Sequence, residues 1–358
     1  MDFLYGIPVL GLVFQFVGYL VDALISDRTL GEITVRLAAP IALGALCGIL
    51  NERSGVVNIG IEGMMLTSAF AAFLAALVVS DLVPADPSPI FGATPALLIG
   101  VLAAVATGVL VSLLHAWLSI TIRADQIISG TIINIAALGL TGYINRVLKP
   151  LGSYAIFQGW EPPGPLADIP VVSWILHQGP LAMSVVVLVI ILQVLLFRSR
   201  WGLRTRAVGE HPKAADTVGI NVIALRYRNV LLGGVFAGLA GAYLTLEATG
   251  SFQNGMTAGR GFIALAAVIF GRWTPLGAYG GALLFMFSQA LGVAIRSNPP
   301  TGELGTILAG WQADFPSIYN NIFSALPYLL TIIILAGVVG RSVAPAAVGR
   351  PYEKEAHA

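Results

Sequence analysis

The stretch GALCGILNERSGVVNIGIEGMML, residues 44–66, has the pattern of an interrupted membrane helix. A Gly/Ala-rich apolar run is interrupted by a polar, Gly-rich break and then starts again as a second apolar run. Inside a membrane, backbone can leave the helix only where protein or a water-filled cavity satisfies its polar groups. The stretch therefore predicts a helix that breaks and restarts at membrane depth.

The composition of the whole chain fits this setting. Of its 358 residues, 57% are hydrophobic and only 10% are charged, whereas roughly a quarter are charged in an ordinary soluble domain. The net charge of +1 gives no basic surface for nucleic acid. The single cysteine, Cys47, allows neither a disulfide framework nor a cysteine-rich metal site. The sequence predicts an all-α integral membrane protein.

The apolar runs predict about ten transmembrane segments. A spanning helix needs about 20 mainly apolar residues, because the hydrocarbon core is about 30 Å thick. The N-terminus lacks the positive charge of a signal peptide, so the first run is predicted to be retained as a span. The run at 261–271 is too short to cross and is predicted to be a partial segment. Nine longer runs fit, at 4–25, 34–50, 56–79, 95–120, 127–147, 172–197, 229–249, 276–296 and 322–340.

The positive charges choose the orientation. With the N-terminus inside, the predicted cytoplasmic stretches hold 13 of the 19 Lys and Arg residues. Seven of these lie in one loop, 198–228, while the outside stretches 81–89 and 151–170 hold none. Cytoplasmic loops carry an excess of Lys and Arg. Both termini are therefore predicted to be cytoplasmic, with residues 342–358 as a tail behind one transmembrane domain, 1–341.

The domain is predicted to consist of two inverted five-helix halves, about 4–147 and 172–340. The stretch 44–66 has a counterpart in GVFAGLAGAYLTLEATGSFQNGMTAGRGFIALAAV, residues 234–268, which again is a Gly/Ala-rich helix, a Gly-rich break and a new helix. Paired broken helices in inverted repeats are the usual surroundings of a transporter's midplane site. A chance similarity between two Gly/Ala-rich helices is the alternative.

Small residues at GxxxG spacing predict a compact bundle. In lipid, close backbone packing is a main source of helix association. The pairs are Gly44/Gly48, Gly234/Gly238 and Gly277/Gly281.

Enzyme chemistry has no support in the sequence. The chain has no GK[ST] phosphate loop, and its four histidines show no metal-binding spacing. Three carboxylates lie at membrane depth: Asp22, Glu62 and Glu247. Buried carboxylates bind the coupling ion in proton- or sodium-driven carriers, so an ion-coupled secondary carrier remains an alternative. A position at helix ends near the headgroups is the other interpretation of Glu62 and Glu247.

Three ordered motifs together resemble the membrane permease subunits of bacterial ABC importers. They are RLAAPIALGALCGILNERSGVVNIGIEGMMLTSAF (36–70), RAVGEHPKAADTVGINV (206–222) and GRGFIALAAVIFGRWTPLGAYGGALL (259–284). The branch takes up simple sugars, branched-chain amino acids, and nucleosides or purines. NERSGVVNIGIEGMML is most similar to the nucleoside and purine permeases that work with a basic-membrane-lipoprotein type of binding protein.

The resemblance implies a ten-helix subunit of the bacterial cytoplasmic membrane. Its implied partners are a second, homologous permease, ATPase subunits that bind ATP and Mg, and a periplasmic or lipoprotein solute-binding protein. No cofactor is expected in this chain. Simple sugars or branched-chain amino acids are the alternative solutes.

The resemblance also gives the cytoplasmic motif a role, which is to dock a short helix on the ATPase. Pro212 suits a first helical position and Gly219 the left-handed residue past the end, which leaves about two turns, 212–218. Small Ala214 and Ala215 would allow close approach of the ATPase. The residues assigned to this contact are Gly209, Glu210, Pro212, Ala215, Asp216 and Gly219.

The solute path is predicted from polar and aromatic residues at the two breaks and on otherwise apolar segments. Amides and carboxylates suit the ring edges and ribose hydroxyls of a nucleoside, and a Phe face can stack on a base. Such side chains often only bond neighbouring helices, and this is the alternative. The candidates are Asn58, Glu62, Gln126, Asn134, Ser251, Gln253, Asn254, Phe262 and Gln289.

Overall fold

A computed structural model of the chain describes residues 8–26, 28–83, 88, 91–148, 154–161, 169–319, 321–322, 325 and 342–353. These ranges contain helices and no strand. The helices are α1 (Pro8–Ile25), α2 (Thr29–Arg53), α3 (Ile61–Leu82), α4 (Pro95–Ala116), α5 (Gln126–Leu148), α6 (Pro170–Leu176), α7 (Pro180–Arg198), α8 (Arg200–Glu210), α9 (Pro212–Thr217), α10 (Val222–Ala242), α11 (Arg260–Phe270), α12 (Pro275–Ser297) and α13 (Gly302–Asp314). The π-helical segments Trp117–Thr121 and Tyr243–Thr249 continue α4 and α10.

Seven of the described helices are long and apolar enough to cross a membrane. They are α2, α3, α4, α5, α7, α10 and α12, counting α4 and α10 with their π-helical segments. The short segment predicted at 261–271 is α11. The predicted span 322–340 lies outside the described residues except for positions 322 and 325. The count of ten spans and the cytoplasmic position of both termini stay predictions.

The structure corrects the predicted span 172–197, which is two helices, α6 and α7. They are separated at residues 177–179, and Pro180 starts α7, where its missing N–H costs nothing. The helix α13 was not predicted. Its apolar run is short, and none of its side chains is buried, so it lacks the pattern of a span.

The predicted loop 198–228 is also largely helical, since it contains α8, α9 and the start of α10. The hydroxyl of Ser199 accepts a hydrogen bond from the Gly202 N–H at 3.1 Å and caps α8. The many arginines of α8 are typical of a solvated loop. The helix nevertheless has a buried face at helical spacing, formed by residues 202, 205, 208 and 209.

The chain forms two compact units. The first comprises Met1–Ala38, Trp160–Gln178 and Leu283–Gly340. In its described part, Ala23 of α1 and Leu30 of α2 form a buried cluster with four residues of α12. The indole N–H of Trp174 donates a hydrogen bond to the carbonyl of Leu24 at 3.1 Å and attaches α6 to the end of α1.

The second unit comprises Ala39–Gly159, Gly179–Ala282 and Arg341–Ala358. At its centre α10 packs on α3 and α4, and the backbone of Gly234 closely approaches that of Gly108. Gly44 and Gly48 of α2 lie against Ala264 and Val268 of α11. The GxxxG pairs at 44/48 and 234/238 thus lie at close helix contacts. Because each unit draws on both predicted halves, the inverted repeat and the single domain 1–341 stay predictions.

Candidate functional site

The first helix break lies between α2 and α3, and side chains of α4 and α5 satisfy its backbone. The N–H of Val57 donates to the Gln126 side-chain oxygen at 2.7 Å, and the carbonyl of Val57 lies 2.9 Å from Nε2 of His115. The buried Asn58 side chain accepts a hydrogen bond from the Gly60 N–H at 3.0 Å. The break is therefore an ordered, protein-satisfied structure, as non-helical backbone at membrane depth requires.

Asn134 of α5 holds the start of α3. Its side-chain oxygen accepts from the Gly63 N–H at 2.7 Å, and its Nδ2 donates to the Ile59 carbonyl at 3.0 Å. Asn58, Gln126 and Asn134, which were predicted to line the solute path, are thus engaged with backbone groups of the break. This contact pattern agrees with the alternative interpretation, in which such polar side chains bond to neighbouring segments of the protein.

Glu62 caps the helix that follows the second break. Its two carboxylate oxygens accept hydrogen bonds from the N–H groups of Gly259, at 2.8 Å, and Gly261, at 2.6 Å. These groups lie at the N-terminus of α11, where a helix has unpaired donors and a partial positive charge. A Cβ on Gly261 would lie 2.6 Å from the Glu62 backbone, so glycine permits the approach.

Glu247, in the π-helical continuation of α10, does the same for α7. Its oxygens accept hydrogen bonds from the N–H groups of Leu181, at 2.7 Å, and Ala182, at 3.1 Å. Gly179 again permits the approach, since a Cβ there would lie 2.4 Å from the carboxyl carbon. The two carboxylates therefore have matching surroundings: each binds two backbone N–H groups at the start of another helix.

The second break, residues 250–259, turns through glycines with positive φ: Gly250 at 68°, Gly255 at 69° and Gly259 at 81°. Gln253 and Asn254 are exposed here, and Ser251 is half-buried. Asn254 accepts a hydrogen bond at 3.2 Å from Asn145 of α5.

Phe262, in the first turn of α11, is 48% exposed. Gln289 is also exposed, but it belongs to the first unit, whereas the other predicted path residues belong to the second. The exposed candidates of the second unit therefore gather at the second break and the start of α11.

The predicted cytoplasmic helix is present as α9, one residue shorter than expected. Pro212 is its first residue, and Gly219 has a φ of 82° just past its end. The Ile220 N–H donates to the Ala215 carbonyl at 3.1 Å, which closes the last turn. Glu210 is exposed, Asp216 is half-buried, and Val218 at the end of the helix is 75% exposed.

Two residues assigned to the ATPase contact face the interior of this chain. Ala215 is only 3% exposed and packs with Val208, Val222 and Tyr352. Gly209 is buried, and a Cβ there would lie 2.2 Å from the Arg53 carbonyl. The expectation that a small Ala215 side chain gives a partner close access is not met. Both residues instead hold α8 and α9 against the rest of the unit.

The end of α2 is joined to residues 272–273 by hydrogen bonds that the sequence did not predict. The Arg53 guanidinium donates to the Trp273 carbonyl at 2.9 Å and to the Arg272 carbonyl at 3.2 Å. The Trp273 indole N–H donates to the Glu52 carboxylate. Both partners stand in the quoted motifs, as NERSG and GRWTP, but their pairing joins residues 221 positions apart. The segment 342–353, part of the predicted tail 342–358, also packs near the end of α2, where the Gly349 N–H donates to the Gly55 carbonyl.

Within the described residues, no group of three or more His, Cys, Asp or Glu side chains is placed to hold a metal ion.

Comparisons with known proteins agree with one another. The model of the family described as branched-chain amino acid transport system / permease component matches residues 32–343. The guanosine ABC transporter permease protein NupQ of Bacillus subtilis (strain 168) is 41% identical over 331 residues, which cover 90% of this chain and 95% of that protein. The nucleoside ABC transporter permease protein NupC of Lactococcus lactis subsp. cremoris (strain MG1363) is 38% identical, over 88% of this chain and 94% of that protein. The putative glucose ABC transporter permease protein TsgC13 of Haloferax volcanii is 32% identical, over 90% and 96%. No solved structure matches the chain.

Proposed function

We propose that this chain, which belongs to the family of branched-chain amino acid transport system permease components, moves a nucleoside or purine across the bacterial cytoplasmic membrane. It is a permease subunit of an ABC transporter. The proposed solute rests on sequence identity: along almost its whole length the chain is 41% identical to a guanosine permease and 38% identical to a nucleoside permease. A simple sugar is the second candidate, because a putative glucose permease is 32% identical over a similar length.

The proposed assembly contains a second, homologous permease, ATPase subunits and a binding protein that is periplasmic or lipid-anchored. ATP and Mg would be bound by the ATPase, because this sequence contains no GK[ST] phosphate loop. The excess of Lys and Arg in the stretch 198–228 supports a cytoplasmic position for α8 and α9.

The proposed ATPase contact is the exposed side of α9 and its flanks, with Glu210, Pro212, Asp216 and Gly219 at the surface and Gly209 and Ala215 supporting them from inside. The proposed solute path passes the second break, where Gln253, Asn254 and Phe262 are exposed. Amide groups there suit the hydrogen-bonding edge of a purine, and the Phe262 ring suits its face. Glu62 and Glu247 support the path by fixing α11 and α7, whose N-termini they cap.

Uptake in reconstituted vesicles tests the function. The chain is co-purified with its proposed partners, an ATPase, a second permease and a binding protein, and entry of labelled guanosine is measured. We expect uptake to require ATP on the side of the membrane where the ATPase lies. Excess unlabelled adenosine should reduce the uptake of guanosine, whereas excess glucose or leucine should not.

Three other outcomes would contradict the proposal, each in a different way. Uptake that ignores ATP and collapses with an ion gradient would indicate a secondary carrier, and passive flux would indicate a channel. Competition by glucose alone would indicate the sugar alternative.

Val218→Asp tests the proposed contact surface. Val218 is the exposed apolar residue at the end of α9, and a carboxylate buried against a partner loses its hydration. We expect the amount of ATPase that co-purifies with the permease to fall about tenfold, a loss of about 1.4 kcal/mol in binding. The matched control is Val83→Asp, at a valine that is 47% exposed and lies just past the end of α3. Equal retention of ATPase by the two variants would contradict the assignment.

A further inference from the structure

The C-terminal segment 342–353, here named the strap, binds the residues that lead into α9. The N–H of Ala347 donates to the carbonyl of Gly209 at 2.9 Å. The N–H of Ala346 donates to the Glu210 carboxylate at 3.1 Å. These contacts lie where α8 ends and the chain turns into α9, so the strap fixes the start of the proposed coupling helix.

The strap also binds the first helix break. The N–H of Gly349 donates to the carbonyl of Gly55 at 3.3 Å. The buried guanidinium of Arg226 joins the same two segments, because it donates to the carbonyl of Ser54 at 3.0 Å and to the carbonyl of Arg350 at 3.1 Å. One end of the α2–α3 break is therefore tied to the strap through two independent links.

Tyr352 anchors the strap beneath α9. Its side chain is buried in the cluster with Val208, Ala215 and Val222, which come from α8, α9 and α10. The next residue, Glu353, forms an ion pair with Arg123 at 2.6 Å, and Arg123 lies between α4 and α5. The strap thus reaches α9, the break after α2 and the turn before α5.

We propose that the strap positions α9 and passes its displacement to the helix break 54–60. This inference rests on the proposed function, in which the ATPase moves α9. Coupling between distant sites travels through contiguous packed side chains and hydrogen bonds. The strap supplies such a connection, because Tyr352 packs on Ala215 and the Arg226 guanidinium joins the Arg350 carbonyl to that of Ser54. The break in turn is held by α4 and α5 through Gln126 and His115. A movement of α9 therefore reaches the helices on both sides of the break.

The test is Tyr352→Ala in the complete importer reconstituted in vesicles, with labelled guanosine uptake and ATP hydrolysis measured on the same preparation. Removal of the ring keeps the hydrogen bonds of Ala346 and Ala347 but removes the packing of the strap against Ala215 of α9. We expect the solute moved per ATP hydrolysed to fall about fivefold while the hydrolysis rate stays within about twofold. Tyr352→Phe keeps the ring and should retain the normal ratio. Val343→Ala, an exposed position of the strap, is the matched control.

A second pair of variants covers the case in which Tyr352→Ala does not assemble. Glu353→Arg places two like charges together and should lower the same ratio, and adding Arg123→Glu should restore it. An unchanged ratio in Tyr352→Ala, or uptake and hydrolysis falling in parallel, would show that the strap only stabilises the fold. If the unaltered importer shows no ATP-dependent uptake, the proposed function fails and this inference falls with it.

Discussion

A Gly108→Val variant is expected to be strongly destabilised, because α4 and α10 meet there backbone to backbone. A Cβ on Gly108 would lie 2.3 Å from the carbonyl oxygen of Gly234 and 2.8 Å from the nitrogen of Gly238. Neither atom belongs to a flexible side chain, so relief requires the two helices to separate. Overpacking of a filled core costs typically about 1–3 kcal/mol, and a rigid backbone neighbour puts this site at or above the upper end. The measurement is thermal unfolding of the purified protein in detergent, together with its elution profile.

Gly139→Val is the control for this prediction. Gly139 lies on α5, within a membrane-length helix, and a Cβ there would meet nothing within 4 Å. The substitution makes the same chemical change without the close approach. We expect its unfolding temperature to remain near that of the unaltered chain. If both variants unfold at the same temperature, the close crossing of α4 and α10 is wrong.

The sequence marks only one side of the crossing between α4 and α10. Gly234 and Gly238 indicate a surface for close packing, and that part follows from the sequence alone. Their partner, Gly108, stands in no such pair, because its neighbours four positions away are Ala104 and Ser112. Which helix a small-residue surface meets depends on tertiary packing, and a single sequence does not record it.

The helix breaks were predictable, but the groups that satisfy them were only partly so. Gly-rich polar stretches between apolar runs mark both breaks, and Asn134 and Gln126 stand out as polar residues on apolar segments. Their roles at the backbone of residues 57–63 depend on contacts 69 to 75 positions apart in the chain. Polar side chains for a solute and polar side chains for a neighbouring backbone look the same in sequence.

The strap escaped prediction for a different reason. Three of its contacts use backbone N–H groups, of Ala346, Ala347 and Gly349, which every residue except proline carries. Such donors leave no pattern of residue types. Tyr352 and Glu353 also make side-chain contacts, but one aromatic and one acidic residue in a polar stretch resemble a solvated tail. The helix α9 was found because Pro212 and Gly219 mark its two ends.

The second large effect is expected from Glu62→Leu, which removes both acceptors for the Gly259 and Gly261 N–H groups. Hydrogen bonds to a charged group contribute about 1.5–3 kcal/mol each, and buried donors left without an acceptor add their desolvation cost. We therefore expect a loss of about 3 kcal/mol or more, measured as a fall in thermal stability in detergent. Glu62→Gln keeps one acceptor oxygen, so its thermal stability should lie between those of the unaltered chain and Glu62→Leu. Glu247→Leu, which deprives Leu181 and Ala182, should cost about the same as Glu62→Leu.

The matched control for the carboxylates is Glu303→Leu, in the first turn of the exposed helix α13, where a surface change should stay within about 0.5 kcal/mol. The same variants also separate a capping carboxylate from an ion-coupling one. If the carboxylates cap helices, Glu62→Gln and Glu247→Gln should lower thermal stability and uptake together. The uptake that remains should still require ATP. If either variant kept its thermal stability but lost uptake driven by a proton or sodium gradient, the carboxylate would be the ion site of a secondary carrier. Because each carboxylate already binds two backbone N–H groups at a helix N-terminus, a coupling ion would have to compete with both hydrogen bonds and with the helix dipole, and for this reason we expect the loss of stability.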